Sequence, residues 1–283
     1  MAKVYTDFQT IETEVAEKAP PVIYKFRDWS NPYHQSILTN TELWFAHPKD
    51  LNDPFDVRTP VRFDFSEIYH PDFFSKLHYH AQRQHPSIPP HSRDFQVLCE
   101  NKLELIRKDP QAHFEENYRS LRESDVYDRI GVLSFTGNPF NETMWAHYGN
   151  NGQGFCIGFD TIGLAKALKC GFGFVSYEEE PPLHSFIKTR EENHQDQAFL
   201  KHAKWNYEEE FRFITFGVSA DTDRAVRVDP SLIRKVIIGW KTPPEQIQAI
   251  KEILSTHYGG TIPLYRVHTG FNTYGLEEKA IPY

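Results

Sequence analysis

The stretch Trp205-Asn206-Tyr207-Glu208-Glu209-Glu210-Phe211-Arg212-Phe213-Ile214-Thr215-Phe216 limits the fold more than any other part of the sequence. From Tyr207 onward its aromatic and β-branched residues specify a strand, and a strand sends successive side chains to opposite faces. Glu208, Glu210 and Arg212 then share one face. Tyr207, Phe211 and Phe213 share the other, which is the face expected against a core, and Ile214 and Phe216 return the first face to apolar character. Three charges in a row on such a strand are costly to bury unless they are paired or put to use. The simpler alternative is a strand end at the surface that carries an ion pair.

Composition narrows the class. The chain has 283 residues, ample for a proper core, and its 22 Phe, 14 Tyr and 5 Trp predict that aromatic packing dominates it. A formal charge of −8 argues against a general nucleic-acid binder and leaves room only for a local basic groove. Three widely spaced cysteines, Cys99, Cys156 and Cys170, support neither a disulfide framework nor a CxxC zinc site. The segment Met1 to Pro21 is acidic and lacks an apolar core, and no stretch is long enough to cross a bilayer. A soluble, cytoplasmic protein with no membrane partner is expected.

In chain order, residues 1–21 read as a flexible N-terminal arm, and residues 22–283 as a single α+β domain with a helical insertion at about 63–128. Strands are predicted at Val22 to Arg27, Leu43 to Ala46, Ile130 to Thr136, Gly154 to Asp160, Phe172 to Tyr177 and Arg234 to Trp240, with Ile262 to Val267 closing the chain. Helices are predicted from Pro32 to Leu38, at Asp72 to Gln84, Phe95 to Lys108 and Ala112 to Glu123, from Asn141 to Tyr148, at Ala165 to Lys169, Gln195 to Lys204, and Pro243 to His257. A mostly antiparallel sheet fits this order, since no regular βαβ alternation occurs.

Two site signatures fail on spacing. Gly152, Gly154 and Gly158 give GxGxxxG before a strand, not the dinucleotide fingerprint between a strand and a helix. The insertion holds His70, His78, His80, His85 and His91, but His78 and His80 point apart on a helix and no HExxH occurs, so capping or solvated histidines are expected. The loop His47 to Asp56 is dense in turn formers and more complex than a plain connection requires.

Tyr24-Lys25-Phe26-Arg27, Leu51-Asn52-Asp53-Pro54-Phe55-Asp56, Met144-Trp145-Ala146-His147-Tyr148, Gly154 to Asp160, Tyr207-Glu208, Glu210-Phe211-Arg212 and Val236 to Gly239 resemble the successive blocks of the bacterial domain of unknown function 2971. A more distant likeness is to toxin-type mono-ADP-ribosyltransferases with an Arg, Ser, Glu signature. Arg27, Ser134 with Thr136, and Glu208 with Glu210 are similar in order and setting, although Phe135 separates the two hydroxyls and His147 or Tyr148 can take a place held by Tyr or His in other branches.

The likeness implies an ADP-ribosyltransferase-like α+β sheet and a reaction that consumes NAD as substrate. Cleaving the nicotinamide–ribose bond builds oxocarbenium character on the sugar, as glycoside hydrolysis does. Glu210 is expected to stabilise that charge and Glu208 to position the nucleophile, with Arg27 on the pyrophosphate. Tyr24, Ser134, Thr136, Trp145, His147 and Tyr148 would line the nicotinamide pocket or stack on a ring. On this reading the protein is a mono-ADP-ribosyltransferase or NAD glycohydrolase, a toxin or phage-defence effector with an antitoxin or regulatory partner and an acceptor left open. The alternatives are a metal-dependent hydrolase or nuclease using His47, Asp53, Asp56 and the late carboxylates, and a non-catalytic sensor or interaction domain in which the Arg and Glu residues form a structural network; for Arg27 the simpler alternative is a pair with Glu208 or Glu210.

Overall fold

The structure is a computed structural model that describes residues 18–122, 127–188, 193 and 197–283. The first seventeen residues of the expected arm lie outside these. Pro20 and Pro21 are tied down, because their carbonyls accept from the Thr161 hydroxyl and the Thr161 N–H at 2.5 and 3.1 Å.

Three early strands are β1 (Val22–Arg27), β2 (Glu42–Trp44) and β3 (Arg62–Phe63), with α1 (Pro32–Thr39) after the first. The stretch expected to be helical supplies α2 (Pro71–Gln84), α3 (Arg93–Lys108) and α4 (Pro110–Arg122). Then come β4 (Ile130–Thr136), α5 (Glu142–His147), β5 (Phe155–Asp160), α6 (Thr161–Leu168), β6 (Gly171–Phe174), β7 (Ser176–Glu178), β8 (Leu183–His184) and β9 (Leu200–His202). The last part holds β10 (Glu210–Phe216), β11 (Ala225–Arg227), β12 (Ile233–Ile238), α7 (Pro244–Tyr258), β13 (Leu264–Thr269) and β14 (Leu276–Ala280).

Eight strands form the central sheet in the order β14-β13-β12-β5-β1-β4-β10-β6. Every junction is antiparallel except β12 with β13, so the sheet is mixed and mostly antiparallel. The ladders differ in length. β1 and β5 share six registered pairs and β4 and β10 seven, whereas β1 and β4 share the single pair Tyr24↔Thr136. The sheet therefore consists of two well-bonded parts joined at a seam.

One face of the sheet presents Ile23, Leu133, Phe135, Phe159, Phe211 and Phe213 to the main core, which α1, α6 and α7 cover with Ile37, Leu38, Leu164, Ile250 and Leu254. On the other face Tyr24, Phe26, Cys156 and Ile237 pack under Met144 and Trp145 of α5. Further along, Val132 and Ile214 join Val57, Tyr127, Ala198 and Phe199 in a separate apolar patch. Strand alternation places Glu210 and Arg212 on this second face.

Four local expectations need correction. Tyr207 and Glu208 are not in the strand but end a 3-10 turn, Ala203–Glu208. The helix expected at Gln195 to Lys204 falls partly outside the described residues, and within them Leu200–His202 is strand β9, paired parallel to β7. The run Phe172 to Tyr177 divides into β6 and β7 at Val175, where β6 leaves β10 and β7 takes up β9. The chain closes on β14, not on β13. Its sequence, LEEKA, carries charges on both faces because it is a half-exposed edge strand.

Candidate functional site

The opening stretch bends at Glu209, which adopts φ 43° between the 3-10 turn and β10. A non-glycine residue held in the left-handed region costs on the order of 1 kcal/mol or more, so the surrounding structure must enforce it. The bend leaves Glu209 exposed, with its carboxylate accepting from Asn138 Nδ2 at 3.2 Å, while Glu208 and Glu210 turn inward at 4 % and 2 % exposure. The surface ion pair considered for this strand end is therefore overturned, because the charges are buried together with partners.

Arg212, with no exposed surface, is the hub. Its Nε and Nη2 donate to the two oxygens of Glu210, both at 2.7 Å. Its Nη1 and Nη2 donate to Asp56 Oδ1 and Oδ2 at 2.8 and 3.0 Å, and Nη1 also reaches the Ala198 carbonyl at 2.8 Å. Two forked carboxylate contacts on one guanidinium use the geometry that distinguishes Arg from Lys. Lys201 on β9 completes the network, with Nζ 2.5 Å from Glu208 Oε2, 3.1 Å from Glu210 Oε2 and 3.3 Å from Asp56 Oδ2.

Three carboxylates thus face two cations, and the structure shows which carboxylate carries the imbalance. Burial raises Glu210, but Arg212 and then Lys201 more than offset it and hold the carboxyl well below its ordinary range. Glu208 moves the other way. Burial is the largest influence and Glu210 adds to it, so its pKa is raised despite Lys201. The Tyr148 hydroxyl donates to Glu208 Oε1 at 2.6 Å, and burial together with the Glu208 charge raises that phenol. Glu208 has one donor on each oxygen, Tyr148 and Lys201, whereas Glu210 has Arg212 on both oxygens, Lys201 on the second and a side-chain hydrogen bond from Ser134 as well.

These groups open onto a cavity of about 630 Å³ at the seam between β1 and β4. Lys25 and Arg27 form one wall. Lys25 Nζ donates to the Ser134 carbonyl at 2.7 Å, bridging the strands where their backbone ladder has ended. Burial pushes the Lys25 ammonium well down, with Arg27 adding to the effect and Glu210 opposing it. Arg27 is half-buried, forms no ion pair among the described residues, and is pushed down to about 10 by burial. The His47 to Asp56 loop forms another wall. There Asp53, 2 % exposed, uses Oδ1 on the Phe55 N–H at 3.1 Å and leaves Oδ2 buried without a hydrogen-bond partner among the described residues.

Of the residues singled out from sequence, Tyr24, Arg27, Ser134, His147, Tyr148, Glu208 and Glu210 all line this cavity. Thr136 and Trp145 do not. Thr136 is buried, and its hydroxyl accepts from the Asn138 N–H at 3.1 Å to fix the turn after β4. Trp145 donates to the Pro139 carbonyl at 2.8 Å and packs edge-on against Phe26 and Trp240, so it is a core residue and not a stacking platform. Arg27 pairs with neither Glu208 nor Glu210; Arg212 and Lys201 take that place.

Lys201 has no sequence signal, because a lone Lys between Leu200 and His202 makes no motif and the strand that aims it, β9, lies where the pattern predicts a helix. Asp56 enters there only as a metal ligand, yet it commits both oxygens to Arg212. The available signal was a count of charges: two acids and an Arg on one buried strand face leave a negative charge that needs a second cation.

The glycines rejected as a dinucleotide motif have structural duties. A Cβ on Gly154 would lie 2.2 Å from the Arg27 carbonyl, and one on Gly152, at φ +79°, 2.6 Å from the Trp240 ring. Among the described residues no helix is long and apolar enough to cross a membrane. Comparison with curated proteins found no match, and neither did comparison with solved structures. A family model described as "Protein of unknown function (DUF2971)" matches residues 144–213, the span that runs from α5 through Lys201 and Glu208 to Arg212.

Proposed function

We propose that the seam cavity is the active site of an NAD-consuming enzyme, an ADP-ribosyltransferase or NAD glycohydrolase. One observation carries this reading: Lys25 and Arg27, which form no ion pair among the described residues, share a cavity with Glu208 and with Asp53, whose Oδ2 has no hydrogen-bond partner among them. A volume of about 630 Å³ lies within the range of small-molecule and cofactor sites. Arg27 would take the pyrophosphate through a forked contact worth on the order of 1.5–3 kcal/mol, with Lys25 beside it. The unpartnered Asp53 oxygen suits a ribose hydroxyl, since a buried acceptor without a donor is destabilised until a ligand supplies one.

The two glutamates exchange the roles expected from sequence. Glu210, committed to Arg212 and Lys201, positions the network. Glu208, steadied by Tyr148 and Lys201, faces the reacting sugar. In the reaction the C–N bond between ribose and nicotinamide breaks and its electron pair moves to the ring nitrogen, discharging the pyridinium. The positive charge appears on the ribose beside Glu208, an acceptor hydroxyl or water adds its lone pair to the anomeric carbon, and the proton it loses passes to Glu208 and then to solvent. Turnover of NAD in this way fits a toxin or defence effector.

Incubation with NAD, with and without chelator, tests the proposal by nicotinamide release. Release is expected in both conditions, and Glu208→Gln should reduce it roughly 100-fold or more, by analogy with other preorganised charge-stabilising sites. Arg27→Ala should mainly raise KM. No release in the presence of protein, nucleic-acid and small-molecule acceptors would overturn the reading, as would full activity in Glu208→Gln.

A further inference from the structure

Strand β2 presents an indole to the seam cavity. Leu43 and Phe45, 1 % and 3 % exposed, enter the main core, so alternation turns Trp44 and Ala46 to the opposite face, and both line the cavity. Resting on the reading of that cavity as a nucleotide site, we propose that Trp44 is the platform on which a base of the ligand stacks. Of the other rings along the wall, Tyr24, Phe26 and Phe135 are buried, and Tyr148 is half-buried with its hydroxyl donating to Glu208. Trp44 is 45 % exposed, and among the described residues no ring or cation packs on its face. Isolated exposed aromatics are ordinary on a protein surface. This one shares a cavity with Lys25 and Arg27, which form no ion pair among the described residues, and a ring with cations suits a ligand that carries a planar base and a phosphate.

The backbone around the indole is fixed before any ligand arrives. Trp44 is registered with Ala225 of β11, the Phe45 N–H donates to the Arg224 carbonyl at 2.8 Å, and Ala46 and Val132 exchange backbone hydrogen bonds of 2.7 and 2.9 Å. The buried Arg224 guanidinium donates to the Ile130 and Asp128 carbonyls at 2.9 and 2.7 Å, which ties the β2–β11 pair to the start of β4. A ring held in this way, with only two side-chain torsions, loses little freedom when a base covers it. Ala46, Leu51 and Val132 also line the cavity and give the base apolar surroundings. Stacking accepts any planar base, so the platform fits either ring of NAD, the adenine or the nicotinamide.

Calorimetric titration of the full chain with AMP, nicotinamide mononucleotide and ribose 5-phosphate tests the proposal, the last being sugar and phosphate without a base. In the wild type at least one base-bearing ligand should bind more tightly than ribose 5-phosphate. Trp44→Ala should weaken that ligand roughly 5- to 150-fold, the range for loss of one base–aromatic stack, and leave ribose 5-phosphate unchanged. Arg27→Ala should weaken all three. The larger loss in Trp44→Ala identifies the ring, AMP for the adenine and nicotinamide mononucleotide for the nicotinamide. The platform is overturned if neither base-bearing ligand binds, if ribose 5-phosphate binds as tightly as both, or if Trp44→Ala binds them as the wild type does. Should Trp44→Ala melt early, Trp44→Phe and Trp44→Leu decide: affinity kept by Phe and lost by Leu is expected, and equal affinity in the two overturns the platform. Nicotinamide release separates the platform from the reading it rests on. AMP binding that depends on Trp44, without release, would remove the chemistry and keep the platform; release with an unchanged KM for NAD in Trp44→Ala would keep the chemistry and remove the platform.

Discussion

Replacing Arg212 by Met tests the physical basis of the site. The long apolar side chain fills much of the same volume, so the change is chiefly electrostatic. It removes both forks and strands Asp56 and Glu210, at 3 % and 2 % exposure, with Lys201 as their remaining cation. Removing one partner of a buried ion pair costs about 3–5 kcal/mol, because the charge left behind has neither water nor a counter-ion. At about 2–4 °C per kcal/mol for a large domain, the midpoint of thermal unfolding should fall by roughly 6–20 °C. Native stabilities run to about 5–15 kcal/mol, so the variant should still fold in the cold.

Urea unfolding followed by circular dichroism gives the free energy directly, with an unchanged slope excluding a change in compactness. Adding Asp56→Asn and Glu210→Gln to Arg212→Met should recover part of the loss, since the stranded charges are then gone. Arg212→Lys should fall between, because an ammonium cannot make either fork. A loss below about 1 kcal/mol in Arg212→Met, a value typical of exposed pairs, would refute the argument. So would a triple variant no more stable than the single one.

The two glutamates should respond oppositely to pH. Glu210 has a depressed folded pKa, so its ionised form contributes stability above the unfolded value near 4.3 that is lost as pH falls; Glu210→Gln should cost stability at pH 7 and flatten the acid limb of a melting profile. Glu208 has a raised folded pKa, so its contribution is present below about pH 4.3 and is lost as pH rises through the folded value; Glu208→Gln should be less destabilising than Glu210→Gln at pH 7 while abolishing nicotinamide release. Tyr148→Phe removes the 2.6 Å donor to Glu208 and should cost about 1–3 kcal/mol in urea melts, with a larger fall in kcat than in NAD binding. Gly154→Ala places a methyl against the Arg27 carbonyl, which as backbone cannot swing aside; about 1–3 kcal/mol of destabilisation and a raised KM for NAD are expected.

Much of the framework was legible because alternation and capping are local. Asn141 caps α5 through the Met144 N–H, Asn31 precedes Pro32 at the start of α1, and Phe211 and Phe213 face the core as their spacing requires. The left-handed turn at Glu209 was not legible, since nothing in three consecutive glutamates says which one leaves the ladder. Nor was Lys201. Its role depends on β9 pairing with β7 and on Asp56 arriving from a loop more than 140 positions earlier, and such distant pairings leave no periodic trace. The expectation for Arg27 and Glu210 was half of the arrangement: both line one cavity, but the guanidinium that grips the glutamate is its own strand neighbour.

The seam and the buried charges belong to one structural solution. A continuous β1–β4 ladder would satisfy the backbone with no side-chain help and would close the crevice; instead the ladder stops after Tyr24↔Thr136, and the Lys25 ammonium satisfies the Ser134 carbonyl. That places a cation in the gap, and the next guanidinium, Arg27, has no ion pair among the described residues. On the opposite side, Arg212 and Lys201 compensate Asp56 and Glu210 and leave Glu208 as the carboxylate least stabilised in its charged form. If stability alone governed this region, a hydrophobic replacement of the five-residue network would be neutral or better. A region that gives up a ladder on one side and accepts a raised carboxylate on the other is organised around separated charges, and the proposed cleavage of a cationic glycosidic bond next to a pyrophosphate is a reading of that arrangement.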